Sequence, residues 1–261
     1  METNHHQAAA AKPGIDVLAI GSHPDDVEIG AAATLAREAG SGRSVLICDL
    51  TAGEMGTNGD VATRAAEGRA AAAIIGAQGR ICLGLPDTAL WSAADGAGGL
   101  AAVIRAYRPR LVLGPWGQGD RHPDHQAGQE LVRRAVFLAG LTRYVPPCPE
   151  GLSLPAAIRD LAPYRVNRLL YYLINSPAQP ELLVDVSNWY NYKRRALAAF
   201  DSQFGARASA SPTALNDGIY LPGVEGRDAS FGRTCGVGFA EGYRVDRPPL
   251  LASPLDILHS R

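Results

Sequence analysis

Along the chain, apolar positions fall into short continuous runs, each followed by an alanine- or leucine-rich segment that commonly closes on glycine. Residues 15–21 (IDVLAIG) form the first run, and its unbroken apolar character predicts a strand buried on both faces. Residues 28–40 then predict a helix with a glycine stop. The alternation continues with a strand at 44–50, a helix at 63–76, a strand at 80–83 and a helix at 100–107. A strand at 110–114 and a helix at 123–138, with proline in its first turn, complete the series. This order predicts an α/β fold, a parallel sheet with helices on both faces.

Beyond Thr142 the texture changes. Pro146, Pro147 and Pro149 predict a loop, and residues 169–174 and 182–186 two further strands. Ser187 is placed to cap a helix running to about Phe200. Residues 205–228, rich in Gly, Ser, Pro and Asn, read as one long loop, a feature often tied to function. The opening METNHHQAAAAKPG lacks a basic stretch followed by an apolar core, so 1–14 read as a disordered tail and 15–261 as a single domain.

Composition narrows the class. Hydrophobic residues make up 46% of the 261, enough for a sizeable core. A formal net charge of -1 gives no long-range reason to expect nucleic acid or an anionic membrane as partner. No apolar stretch approaches the ~18 residues of a membrane span. The four cysteines (Cys48, Cys82, Cys148 and Cys235) form no CxxC pair, which suits a reduced, cytoplasmic chain. Cys48 and Cys82 lie in apolar runs, where a thiol acts as a small hydrophobe.

The histidines carry the chemistry. His5, His6 and His259 lie in the tails, while the other three fall in two polar clusters, SHPDDVE (22–28) and DRHPDH (120–125). Each cluster follows a predicted strand, and ligands of open α/β sheets bind at the carboxyl ends of strands. Either cluster alone could be a helix-capping turn; together they hold every interior histidine. Imidazole with carboxylate suits Zn²⁺ or Fe²⁺. His23, Asp26 and His125 make a three-ligand set that leaves a position open. Asp25 is then the adjacent general base, and His122 the proton donor and positive partner of a tetrahedral intermediate. A nucleotide-binding reading lacks its motifs, since neither GxGxxG nor GxxxxGK[ST] follows the first strand. A non-catalytic sugar- or metal-binding protein would need neither Asp25 nor His122.

The segment IGSHPDDVEIGAAATLA and the DRHPDH cluster resemble the two motifs of the LmbE/PIG-L metal-dependent N-deacetylases. DLTAGEMGTNG (49–59), TRAAEGRAAAAIIG (63–76), LGLPD (83–87) and GVGFAEGY (236–243) resemble further family segments, so the likeness runs from about Val17 to Tyr243. It implies a Rossmann-like, mostly parallel sheet with a C-terminal extension, and the ligand set and roles given above. It also implies that Asp124 orients His122 and that Arg64 contacts substrate. The substrate class implied is a small N-acetylglucosamine conjugate. The branch most resembled acts on N-acetylglucosaminyl-malate in bacillithiol synthesis, and a chitooligosaccharide, mycothiol precursor or antibiotic precursor are alternatives. Relatives are commonly homo-oligomers, hexamers included; the segments near Pro146 and Ser211 are candidate contacts. Four positions depart from the pattern. Asp120 and Arg121 stand where some relatives have tyrosine, Asn58 where many have arginine, and Phe239 where tyrosine is common.

Overall fold

The computed structural model describes residues 14–93, 95–149, 151–155, 160–205, 211–250 and 253. The expected N-terminal tail, apart from Gly14, lies outside these residues, as do His5, His6 and His259. The strands are β1 (Val17–Gly21), β2 (Val45–Thr51), β3 (Gly79–Leu85), β4 (Leu111–Trp116), β5 (Arg168–Leu173), β6 (Leu182–Asp185) and β7 (Ala240–Val245). They form one sheet in the order β3-β2-β1-β4-β5-β7-β6. The first five run parallel, and β7 pairs antiparallel with both β5 and β6. The C-terminal extension therefore closes one edge of a parallel sheet with an antiparallel pair.

Both faces are covered, as continuous apolar strands require. Val17 and Ala19 of β1 point into one apolar layer, with Val27, Ala31 and Leu35 of α1 (Asp26–Gly40) and Ala71 and Ile75 of α2 (Val61–Ile75). Leu18 and Ile20 point into the other, with Leu100 and Ile104 of α3 (Gly96–Tyr107) and Leu131 and Ala135 of α4 (Pro123–Ala139). Local signals set several helix ends. Asp60 accepts the Thr63 N–H at 2.7 Å to start α2, and Gly76 ends it at a φ of 84°, where a side chain would be strained. Among the described residues no helix is long and apolar enough to cross a membrane.

Three expectations need correction. The stretch 205–228 is not one loop: α7 (Tyr220–Thr234) takes up its last part, 220–228, while 206–210 lie outside the described residues. Val224, Asp228 and Gly232 are buried at helical spacing, and that tertiary packing overrides a composition poor in helix formers. Ser187 caps no helix. The segment continues to α5 (Tyr190–Ala198) and the short α6 (Asp201–Phe204) without a side-chain cap on either. The Ser187 hydroxyl instead donates to Asp185 Oδ1 (2.7 Å) and accepts from the N–H groups of Gly238 and Phe239 (3.0 and 3.1 Å), closing the mouth of the β6–β7 pair. Cys48 is buried as expected, but Cys82 is exposed because β3 is an edge strand.

Candidate metal and hydrolytic centre

The chain runs outward from β1 to β2 and β3, then returns to place β4 on the other side of β1. The strand order reverses there, which leaves a crevice at the carboxyl ends of β1 and β4. The loops after these two strands carry the two histidine clusters. Ser22 locks them together: its hydroxyl donates to the Asp124 carbonyl at 3.0 Å. Gly128 of α4 permits that approach, because a Cβ there would lie 2.3 Å from Ser22 Oγ. His23, His122 and His125 consequently gather, with ring centroids 4.6 to 5.6 Å apart.

Asp26 lies between two imidazoles. Its Oδ1 is 3.2 Å from His125 Nε2 and its Oδ2 is 3.5 Å from His23 Nδ1. The other nitrogen of each ring faces a further carboxylate. His23 Nε2 meets Asp87 Oδ1 at 3.1 Å and Asp124 Oδ2 at 3.4 Å. His125 Nδ1 lies 3.0 Å from Asp120 Oδ1, off the ideal hydrogen-bond direction. A carboxylate behind each imidazole is how proteins orient metal-ligating histidines and fix their tautomers. The donor chemistry of His23, Asp26 and His125, and the carboxylates behind the two imidazoles, are of the kind that suits a divalent cation. Among the described residues, the groups whose ligand atoms all lie within 4.8 Å of one another are His23 with His122 and His125, and His23 with Asp87 and Asp124; Asp26 belongs to neither. Sequence reasoning does not single out Asp87 and Asp120 for this role, although both lie inside the quoted LGLPD and DRHPDH segments.

The electrostatics follow from this packing. Burial opposes charge on His125, but Asp26 and Asp120 outweigh it and raise the imidazole to about 9. His23 is likewise raised well above its ordinary value, against burial, by Asp124, Asp26 and Asp87. Asp26 is held well below the usual carboxylate range; burial acts the other way and the two histidines prevail. His122 is lowered by burial and by the charge of its two neighbours.

Asp25 stands apart. It is buried, and its backbone adopts a φ of 117°, a region costly for a residue with a side chain and common at active sites. Burial raises its carboxyl to about 7, with Arg64 pulling it down and Asp26 pushing it up. Arg64 is only 4% exposed. It donates to the carbonyls of Pro24 (2.6 Å) and Gly53 (3.1 Å) and to Asp25 Oδ2 (3.3 Å). Gly53 has to be glycine for this, since its φ is 69° and a Cβ would sit 2.0 Å from Arg64 Nη1. The guanidinium expected to meet substrate is thus largely engaged in holding the Asp25 loop. Its burial within α2, behind the DLTAGEMG segment, is the reason.

The link between Asp124 and His122 also takes another form. The Asp124 carboxylate turns to His23 and to the N–H of Thr88 (2.7 Å), and it is the main-chain N–H of Asp124 that His122 Nδ1 accepts, at 3.2 Å. His122 is the N-cap of α4, so its ring is spent on an otherwise unpaired helix N–H. Its proton-bearing nitrogen is then Nε2. The cleft over these residues has a volume of about 510 Å³, within the range of small-molecule sites. Its outer wall includes Asn58, Arg121, Asn175, Gln203 and Tyr220. Asn58, at the position of an expected arginine, donates to the Ser211 carbonyl at 2.9 Å, and Phe239 stacks on Tyr190 with centroids 3.9 Å apart.

Residues 18–136 match the PIG-L family, described as GlcNAc-PI de-N-acetylase. The chain is 32% identical over 197 residues to the diacetylchitobiose deacetylase of Thermococcus kodakarensis, covering 72% of this chain and 70% of that protein. It is 28% identical over 248 residues to the 1D-myo-inositol 2-acetamido-2-deoxy-alpha-D-glucopyranoside deacetylase of Actinosynnema mirum, covering 79% and 88%. Among solved structures, a conserved protein from Thermus thermophilus superposes with a TM-score of 0.76 at 35% identity, over 92% of this chain and 98% of that one. Two histidine motifs joined at a strand-order reversal, an Asp26 carboxylate between their imidazoles and relatives of this kind lead to one conclusion: the chain belongs to the PIG-L family of de-N-acetylases.

Proposed function

We propose that the protein hydrolyses the N-acetyl group of a small N-acetylglucosamine conjugate with an acidic aglycone, N-acetylglucosaminyl-malate being the substrate this fits best. One observation carries the hydrolytic part: a His23–Asp26–His125 donor set, with a carboxylate behind each imidazole, beside the buried and strained Asp25. A bound Zn²⁺ or Fe²⁺ would supply Lewis acidity toward the amide carbonyl. Asp25 takes a proton from the attacking water, a task matched by a carboxyl raised to about 7. His122 faces the cleft from the other loop and donates a hydrogen bond from Nε2 to the tetrahedral oxygen, while Asp25 passes the proton it took from water to the departing amine. The N-cap bond of His122 to Asp124 leaves Nδ1 an acceptor and holds the ring for that contact.

The acidic aglycone rests on Arg121. Among the described residues lining the cleft there are two arginines, and Arg64 is engaged with Pro24, Gly53 and Asp25. Arg121 is exposed at the rim beside Asn175 and Tyr220. A guanidinium there can take a carboxylate bidentately. A neutral diacetylchitobiose is the second reading, favoured by the Thermococcus relative.

A substrate panel with metal-loaded protein, reading free amine, tests both. Asp25→Ala should retain metal and lose ~10²-fold or more in rate on every substrate. Arg121→Ala should cost the malate conjugate about 1.5–3 kcal/mol in kcat/KM and leave plain N-acetylglucosamine unchanged. Faster turnover of diacetylchitobiose than of the malate conjugate would move the enzyme to the neutral-substrate reading. No amine from any N-acetylglucosamine compound would refute the proposal.

A further inference from the structure

Behind the cleft lies a group of fully buried charges that no reaction step uses. Lys193 of α5 is 0% exposed and donates to Asp228 Oδ2 of α7 (2.7 Å) and to Glu241 Oε1 of β7 (2.9 Å). The Tyr190 hydroxyl donates to Asp228 Oδ2 (3.1 Å) and Arg227 Nε to Asp228 Oδ1 (2.9 Å). Pairing makes such burial tolerable, yet well-packed apolar side chains commonly serve stability as well or better. Stability alone is a weak reason for building this group.

Helix α1 supplies another reason. Glu241 accepts the N–H groups of Ala33 (3.2 Å, Oε1) and Thr34 (2.7 Å, Oε2). Both residues sit in the middle of α1, where an N–H ordinarily points to the carbonyl four residues back, here Ile29 and Gly30. Arg227 Nη2 reaches that same Ile29 carbonyl at 2.9 Å. Its Nη1 donates to the carbonyls of Leu173 (3.0 Å) and Ile174 (2.8 Å) where β5 ends. Ile29 and Ile174 both line the cleft. Glu241 thus acts as an anionic cap inserted in mid-helix, and insertions into the helix ladder are how helices are bent or divided. The segment before it carries Asp26, and is pinned from below as well. Gly30 lies so close to Tyr172 that a Cβ would sit 2.0 Å from its ring, while the Tyr172 hydroxyl donates to the Ile20 carbonyl at 2.7 Å.

We propose that Glu241 and Arg227 are positioning residues for the reaction: they hold the first turns of α1, and with them Asp25 and Asp26, against the end of β5 and against α7. The C-terminal segment thereby sets the geometry of the metal loop without touching the reacting atoms. This inference rests on the hydrolytic reading of the cleft. It gives Glu241, in the GVGFAEGY segment, a task that its distance from the histidine clusters conceals.

The test compares Glu241→Gln and Arg227→Lys with the unaltered protein, by thermal melting, by kcat and KM on an N-acetylglucosamine substrate, and by the visible spectrum of the Co²⁺-substituted form. In Glu241→Gln an amide –NH₂ replaces one acceptor facing a main-chain donor. In Arg227→Lys the charge beside Asp228 stays, but a compact ammonium cannot span three carbonyls as a guanidinium does. Both should lower kcat by ~10- to 10²-fold, the scale of a misplacement of up to about 1 Å at a reacting centre, with KM little changed. The Co²⁺ ligand-field bands should shift in both. If Glu241→Gln fails to fold, Arg227→Lys decides alone. A folded variant with unaltered kcat and an unaltered Co²⁺ spectrum would overturn the proposal, whatever its melting temperature, and leave the cluster a structural clasp. An unaltered protein that binds no Co²⁺ would instead overturn the metal-site reading, so the two failures are told apart.

Discussion

Arg64 separates two accounts of the cleft, and replacing it by methionine measures which is right. If Arg64 holds the base, its loss acts on Asp25. The guanidinium lies 3.3 Å from Asp25 Oδ2, and both groups are buried. Coulomb's law at an effective dielectric of about 20 gives an attraction of about 5 kcal/mol, while mutational series put a hydrogen bond to a charged group at about 1.5–3 kcal/mol. Taking about 3 kcal/mol, the Asp25 carboxyl should rise by about 2 pH units, because one unit corresponds to about 1.4 kcal/mol. Burial already holds it at about 7 against the pull of Arg64. A base works only when ionised, so the variant should lose ~50-fold in kcat/KM at pH 7 and recover as pH rises toward about 9. Amine release followed from pH 5 to 10 reads this directly, as an acid limb displaced upward on neutral and acidic substrates alike. A bound cation acts on both profiles, so their separation is the relevant quantity. A urea melt at pH 7 should also show a loss of about 3–5 kcal/mol, the usual cost of leaving one partner of a buried pair. Parallel pH profiles, with KM raised on the malate conjugate alone, would refute this reasoning and return Arg64 to the substrate.

Metal uptake should release protons. His125 sits at about 9, above its ordinary 6.5, so the metal-free protein carries that proton at neutral pH, whereas a ligating nitrogen must be bare. Affinity should therefore climb with pH up to about 9 and flatten above; calorimetry in two buffers of different ionisation heat that detects no proton release would remove His125 from the ligand set. Asp87→Asn should weaken metal binding ~10- to 100-fold through its hold on His23 Nε2, as read by competition with a chromophoric chelator. Unchanged affinity would leave Asp87 a helper of Met55 N–H alone. The protein should be a homo-oligomer through the exposed Phe137, Leu141 and Val145 around the end of α4, next to the proline-rich segment. Light scattering should then report a lower mass for Phe137→Glu, and a monomeric unaltered protein at micromolar concentration would end that idea.

Much of this arrangement can be read from the chain, because it rests on local rules. β1 and β4 are legible as apolar runs, and the two clusters after them as polar residues where a parallel sheet binds ligands. The strand-order reversal that joins them follows from where the chain turns back, and no single residue announces it. α7 escapes a reading of the sequence because its helical character comes from packing: Asp228 is buried only by virtue of Lys193, Tyr190 and Arg227. Ser187 reads as a cap because the residue type is right, while its hydroxyl is taken by groups some fifty positions away at Gly238 and Phe239.

Charged residues in motifs are the hardest to assign, since one residue type serves opposite ends. Glu28 closes the SHPDDVE cluster, yet it is buried against Arg80 at 2.6 Å, and Arg80 also holds Asp49 at 2.6 and 2.8 Å. That triad fastens α1 to β2 and β3 and presents nothing to the cleft. Asp87 ends an ordinary-looking LGLPD and stands directly on the His23 imidazole. Sequence position therefore misleads in both directions, and the discriminating property is which atoms a carboxylate has left once its partners are counted. Burial together with backbone strain sets Asp25 apart among the acids of the cluster. It is buried, its side-chain hydrogen-bond donor among the described residues is a single guanidinium nitrogen, and its backbone is held in a conformation that only surrounding contacts can impose. A carboxylate in that state is poorly solvated and is not committed to a second ion pair, which is what accepting a proton from water requires.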